Sequence, residues 1–188
     1  MAVQLTKGDR FNISQTAPDL KKVAIALGWQ VRDAAENSEI DASAFMLDAD
    51  GKIPNDNYFV FYNNSRSPDG AVLQSVPQPR PDRENKSLFG IILDQIDPAI
   101  QEMVFVVTIH EAEKFNLNFS KIDKAFIKIC DLDTLTDLAR YELTDKFSQE
   151  TALEFGRLYR KNGEWRFQAV GQGYQAGLQS FVDKYCGS

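Results

Sequence analysis

Residues Thr151–Val170 read TALEFGRLYRKNGEWRFQAV, and the architecture turns on how this segment is interpreted. Asn162-Gly163 is the turn dipeptide of a tight hairpin, because both residues tolerate the positive φ that a two-residue β-turn needs. Beyond it, Trp165, Phe167 and Ala169 alternate with polar residues at the period of a strand buried on one face. The arm before the turn is less regular. Ala152, Leu153, Phe155, Leu158 and Tyr159 also fit one face of a helix, which stays open as the alternative on periodicity alone. With a hairpin turn and a strand after it, both arms are read as strands.

Working upstream, the apolar run Ala125–Cys130 is followed by an acidic turn carrying Asp131 and Asp133 and then by Leu135–Leu143, which predicts an antiparallel pair. Further strands are predicted over Lys22–Val31, Ala42–Leu47, Tyr58–Tyr62 and Val104–His110, which are rich in branched and aromatic side chains. Downstream the period changes. Leu178, Phe181, Val182 and Tyr185 are spaced i, i+3, i+4 and i+7 before Gly187, which predicts a short amphipathic helix sealing one edge of the sheet core. Gln74–Lys86, with Pro77, Pro79 and Pro81, is predicted to be a surface loop in polyproline II conformation that can serve as a docking strip for another protein. The expected fold is mainly β: an antiparallel β-sandwich with a short C-terminal helix and minor helical turns, in a single domain over residues 1–188.

The chain has 188 residues, 43% of them hydrophobic, enough to fold without disulfides or a structural metal. Its 21 Lys and Arg against 27 Asp and Glu give a net charge of -6, which disfavours nucleic acid and anionic membranes as partners. Apolar runs such as Met103–Val107 are far short of the roughly 20 residues a spanning helix needs, and no N-terminal signal region is evident, so a soluble cytoplasmic protein is expected. His110 is the sole histidine; it is read as a structural residue within an apolar strand, and zinc is disfavoured. Neither Cys130 nor Cys186 sits in a nucleophile motif, and Gly171-Gln172-Gly173-Tyr174-Gln175-Ala176 lacks the context of a dinucleotide loop. No enzymatic activity is expected.

Oxygen-bearing side chains gather at the predicted strand ends. Glu39 and Asp41 enter one strand, while Asn63, Asn64, Ser67 and Asp69 leave another, so neighbouring strands would bring them to one rim suited to a hard cation. The same residues are ordinary turn formers, and turns are the favoured interpretation on composition alone. Asp48, Asp50 and Gly51 lack the later ligands of an EF-hand loop, and Asp131, Asp133 and Asp137 read as a solvated acidic turn.

These segments also carry a family resemblance. Ile40-Asp41-Ala42-Ser43-Ala44-Phe45, Val60-Phe61-Tyr62-Asn63-Asn64 with Ser67-Pro68-Asp69-Gly70, and Phe105-Val106-Val107-Thr108-Ile109-His110 resemble the TerD family of tellurite-resistance and stress proteins. Ala139-Arg140-Tyr141, Glu150-Thr151-Ala152, Gly163-Glu164-Trp165-Arg166-Phe167 and Ala169-Val170-Gly171-Gln172-Gly173-Tyr174 follow in that family's order. The resemblance implies a β-sandwich in a bacterial cytoplasmic stress protein, without known enzymatic activity, that binds calcium between loops at one end. By position it implies metal ligation by Glu39, Asp41, Asn63, Asn64 and Asp69. One departure weakens the expected cation field: the family's glycine-rich acidic loop is replaced by Gln74–Lys86, where Arg80, Arg83 and Lys86 oppose Asp82 and Glu84. Glu39 also stands where the family has aspartate. The function expected is a stress-associated binding module that couples calcium to other proteins; the alternative is a calcium-independent adaptor that uses the proline-rich loop.

Overall fold

Two six-stranded sheets face each other in a computed structural model that describes residues 2–31, 40–75, 84–114 and 116–186. The first sheet has the order β1 (Val3–Leu5), β10 (Asp137–Glu142), β9 (Ile122–Asp131), β3 (Lys22–Val31), β7 (Glu84–Ile92), β6 (Val72–Ser75). The second has the order β2 (Arg10–Asn12), β12 (Glu164–Tyr174), β11 (Ala152–Lys161), β8 (Glu102–Ile109), β4 (Ile40–Leu47), β5 (Phe59–Val60). Pairing is antiparallel except between β1 and β10, which run parallel. Short helical turns cover residues 56–58, 93–95 and 119–121, and α1 (Ile13–Thr16) is a single turn started by the Asn12 side chain accepting from Gln15 N at 2.9 Å.

The pattern of β3 explains its central place. Val23, Ile25, Leu27 and Trp29 point into the sandwich and are buried, while Ala24, Ala26 and Gly28 keep the other face low. On β8 every residue from Met103 to Ile109 is buried. Phe105 packs inward on Phe89 of the facing sheet with ring centroids 5.4 Å apart, so Val104 and Val106 lie on the outer face. That outer face is covered by α2 (Leu178–Cys186), whose Phe181 and Tyr185 lie over Phe45 at 6.4 and 5.0 Å. The helix therefore lies across a sheet face and does not seal an edge as expected.

Several expectations are corrected. Gln74 and Ser75 belong to β6 and residues 84–86 to β7, so both ends of the predicted proline-rich loop are strand; residues 76–83 lie outside the described residues. Gln74 Nε2 donates to Ala42 O at 2.8 Å and ties the two sheets together. The predicted strand Tyr58–Tyr62 shrinks to Phe59–Val60, because Tyr58 closes a helical turn and Phe61 bridges to Asn64 in a tight turn. β1 and β2 are too short to show a period, and β7 opens with polar residues. Among the described residues no helix is long and apolar enough to cross a membrane.

The irregular first arm of the hairpin has a physical cause. The register of β11 against both β8 and β12 shifts between Glu154 and Gly156, a bulge that breaks the two-residue alternation. Phe155 consequently turns into the core, while Glu154 and Arg157, three residues apart, both reach the outer face. Gly156 is required there, since an added Cβ would lie 2.3 Å from Phe167 Cζ and 2.9 Å from Gln168 O. Gly156→Ala is expected to cost about 1–3 kcal/mol by this overpacking, read as a lower urea midpoint; an unchanged midpoint would count against the bulge geometry.

Candidate functional site

Register decides which of the oxygen-bearing residues meet. On β4, Asp41 lies opposite Thr108 and Leu47 opposite Glu102, so the two ends of the strand are about 20 Å apart at the usual rise per residue. Phe45 pairs with Phe59 and Ala44 with Val60, so β5 runs toward the Asp41 end and delivers the Tyr62–Asn63 turn there. Asn63 is exposed at this turn. The Asn64 side chain braces it, donating to Asn57 O at 2.9 Å and Phe59 O at 2.8 Å.

Asp69 is at the opposite end. Its Oδ1 accepts from Ser67 Oγ at 2.5 Å and Ala71 N at 2.9 Å, and its Oδ2 accepts from Asp97 N at 2.9 Å. Asp97 precedes β8, close to where Gln101 N donates to Leu47 O. Both Asp69 oxygens thus serve as turn acceptors in a polar corner completed by Tyr58, whose hydroxyl donates to Asp97 Oδ2 at 2.9 Å. Burial, and then the Asp97 acceptor, push the Tyr58 phenol up to about 12. The Ala99 N–H first, and then the Tyr58 hydroxyl, hold the Asp97 carboxyl below its ordinary value. Asp41 and Asp69 are therefore not brought together, and Glu39 lies outside the described residues.

At the Asp41 end the structure opens a polar cleft of about 720 Å³, lined by Asp41, Tyr62, Thr108, His110, Glu111, Glu113, Asn116 and Asn118, and closed on one side by Gly177 and Leu178. His110 is not within the strand: β8 stops at Ile109, and the imidazole is half-exposed with Nε2 3.9 Å from Glu111 Oε1. Glu111 and Asn116 both adopt left-handed backbone with φ of 51°, a conformation that costs a glutamate on the order of 1 kcal/mol and that concentrates at functional loops. Glu111 and Glu113 were not among the predicted ligands. Their signal was an acidic pair directly after the β8 apolar run, at the end where Asp41 enters its strand. Among the described residues, no three His, Cys, Asp or Glu side chains converge as a metal-ligating group.

A second hollow of about 810 Å³ lies against β9 and β10, but its charges include self-neutralised pairs: Arg140 Nε donates to Glu142 at 2.9 Å and Lys7 pairs Asp145 at 2.8 Å. The remaining acidic residues read as turn formers. Asp48 accepts from Asp50 N and Lys52 N, and Asp131 accepts from Asp133 N and Thr134 N. Of the thiols, Cys130 is buried and donates to Asp137 Oδ1 at 3.2 Å; burial and then that contact push it up to about 12. Burial also raises Cys186.

The sandwich is shared with known proteins. The chain matches the TerD domain over residues 1–185, and it belongs to that family. It is 43% identical to the tellurium resistance protein TerD of Serratia marcescens, over 98% of this chain and 97% of that one. It is 38% identical to general stress protein 16U of Bacillus subtilis, over 98% and 97% of the two chains. A crystal structure of a homologue of telluride resistance protein (TerD) from Streptomyces coelicolor A3(2) has the same fold, with a TM-score of 0.65 at 20% identity, covering 87% of this chain and 95% of that one.

Two outcomes follow from the geometry. Asp69→Asn is expected to lower stability by about 1–3 kcal/mol, because an amide NH₂ would face one of the donors its carboxylate now accepts; an unchanged melting temperature would refute the brace. Burial holds the folded Cys130 thiol up at about 12, whereas an unfolded thiol titrates near its ordinary value of 9.0, so its share of stability is present below pH 9.0 and is lost as pH rises between these values. Native protein at pH 8 is expected to leave Cys130 unalkylated under conditions that label it fully in urea, as read by peptide mass spectrometry.

Proposed function

We propose that this TerD-family protein is a non-enzymatic, stress-associated binding module that takes calcium in the cleft at the Asp41 end of the second sheet and relays its occupancy to protein partners. The observation that supports this reading is the strand pairing itself: β4, β5 and β8 carry Asp41, the Asn63 turn and the Glu111–Glu113 loop to one end of one sheet. Calcium favours carboxylate, amide and carbonyl oxygens on adaptable loops, which is the chemistry of this lining. In this reading Asp41, Glu111 and Glu113, which stand apart without the ion, close onto it from the lining of the cleft, with Asn63 on the adjoining turn and Glu39, two positions before Asp41, as further oxygen donors. Asn64 and Asp69 are assigned to bracing turns. A bound ion would supply positive charge that draws these loops together and shifts their population toward a partner-competent form.

Relatives named for tellurium resistance and general stress support the stress-associated role. A non-enzymatic role is supported by the protonated, buried Cys130 and by the half-exposed His110, whose Nε2 lies 3.9 Å from Glu111 Oε1. The dispersal of the carboxylates favours a second reading, a calcium-independent adaptor that uses the proline-rich segment 74–86. Calorimetric titration of chelator-stripped protein with calcium, with magnesium as competitor, separates the two. Binding that Asp41→Asn abolishes and Asp69→Asn preserves is the expected result. No heat with the native chain, or loss only in Asp69→Asn, overturns the site; the partner interaction should then weaken on deletion of Pro77–Pro81.

A further inference from the structure

The floor beneath α2 is charged, yet it is complete without the helix. Glu154 is 1% exposed and accepts from Arg157 Nε at 2.5 Å and from the Tyr174 hydroxyl at 3.3 Å, while Arg157 also donates to Glu102 Oε1 at 2.9 Å. All four residues belong to β8, β11 and β12, and the bulge at Gly156 is what places Glu154 and Arg157 on this face together. From the helix, Tyr185 faces this network, but its hydroxyl is buried with no hydrogen-bond partner among the described residues. Docking α2 thus takes a self-paired ion network and a phenol out of water without giving either a new partner, an opposing cost to the apolar contacts.

What holds the helix is correspondingly small. Phe181 and Tyr185 are its buried side chains, packed on Phe45 and, for Phe181, on Tyr174 at 5.3 Å, with Leu178, Val182 and Cys186 half-buried. Among the described residues, its hydrogen bonds to the rest of the domain run through its last turn, where Ile53 N donates to Tyr185 O at 2.9 Å and Lys52 Nζ to Lys184 O at 2.5 Å. Nine residues are too few for an isolated helix to persist in water, so α2 is helical only while docked.

We propose that α2 is a reversible cover: it releases from the second sheet and unfolds as a unit while the sandwich stays folded. Release leaves Glu154 and Arg157 paired with each other, so no buried charge is orphaned. It removes Leu178 from the lining of the cleft around Asp41. It also uncaps a row of stacked rings that runs from Phe45 through Phe59 and Phe61, at 4.4 and 4.3 Å, to exposed Tyr62. The cover stands independently of the calcium reading, because Phe181, Tyr185 and the last-turn hydrogen bonds hold it without Asp41, Glu111 or Glu113.

Hydrogen exchange by mass spectrometry on the full chain tests it. Amides of α2 are expected to exchange at least about 100-fold faster than the core amides of β8 and β11, as for a local opening well below global unfolding. Phe181→Ala should abolish protection in α2 and leave β8 and β11 unchanged. Tyr185→Phe, which removes the unpartnered hydroxyl, should slow exchange in α2 alone by about threefold or more. Equal protection of helix and sheet in the native chain overturns the proposal, as does parallel acceleration of both in Phe181→Ala. Should that variant fail to fold, Tyr185→Phe decides: slowing confined to α2 supports the cover, and equal slowing of helix and sheet refutes it.

Discussion

A strand that is apolar on both faces cannot stop at one layer of cover, and β8 is such a strand. Met103, Phe105 and Val107 need the opposing sheet, whereas Val104 and Val106 need something on the other side. The facing sheet meets the first demand through contacts such as Phe89 on Phe105, and α2 meets the second through Phe181 and Tyr185 over Phe45. The same strand sets the register of β4 and β11, and so determines which loops share an end.

The two covers differ in quality. Between the sheets the contacts are largely apolar, with Phe89, Phe105, Phe155 and Phe167 fully buried and the Gln74–Ala42 hydrogen bond as a polar tie. Under α2 the apolar strip is flanked by Glu154 and Arg157, which the bulge brings to the outer face together, and by Glu102 of β8. A short helix over a partly ionic floor holds less firmly than a sheet over an apolar one, because part of its burial is offset by desolvating charge. The cleft at Asp41 borders on the weaker cover, and this links the chemistry of the rim to the position of the helix.

Local pattern made much of this visible in advance. Lys22–Val31 was legible as a strand because its large and small residues alternate strictly, and the 151–170 hairpin because Asn162-Gly163 marks its turn. The helical appearance of 152–159 came from a single unpaired position at the bulge, which shifts the inward set by one residue and mimics a longer period. β1, β2 and β6 were hidden for another reason: three or four residues carry no measurable period, and they are strands only because a neighbour offers backbone partners.

By itself the sequence determined the fold class, the principal strands, the terminal helix and the membership of one family, since all of these rest on near-neighbour spacing or on motifs in fixed order. It also marked Asp41 and Asn63 as residues of one rim. Tertiary structure alone decided that Asp69 lies at the far end, bound to the Asp97 backbone, that Glu111 and Glu113 share a cleft with Asp41, and that His110 stands outside its strand. The reason is geometric: a reversal of chain direction carries a residue from one end of a 20 Å strand to the other within a few positions, and only the hydrogen-bond register between strands records which end it reached.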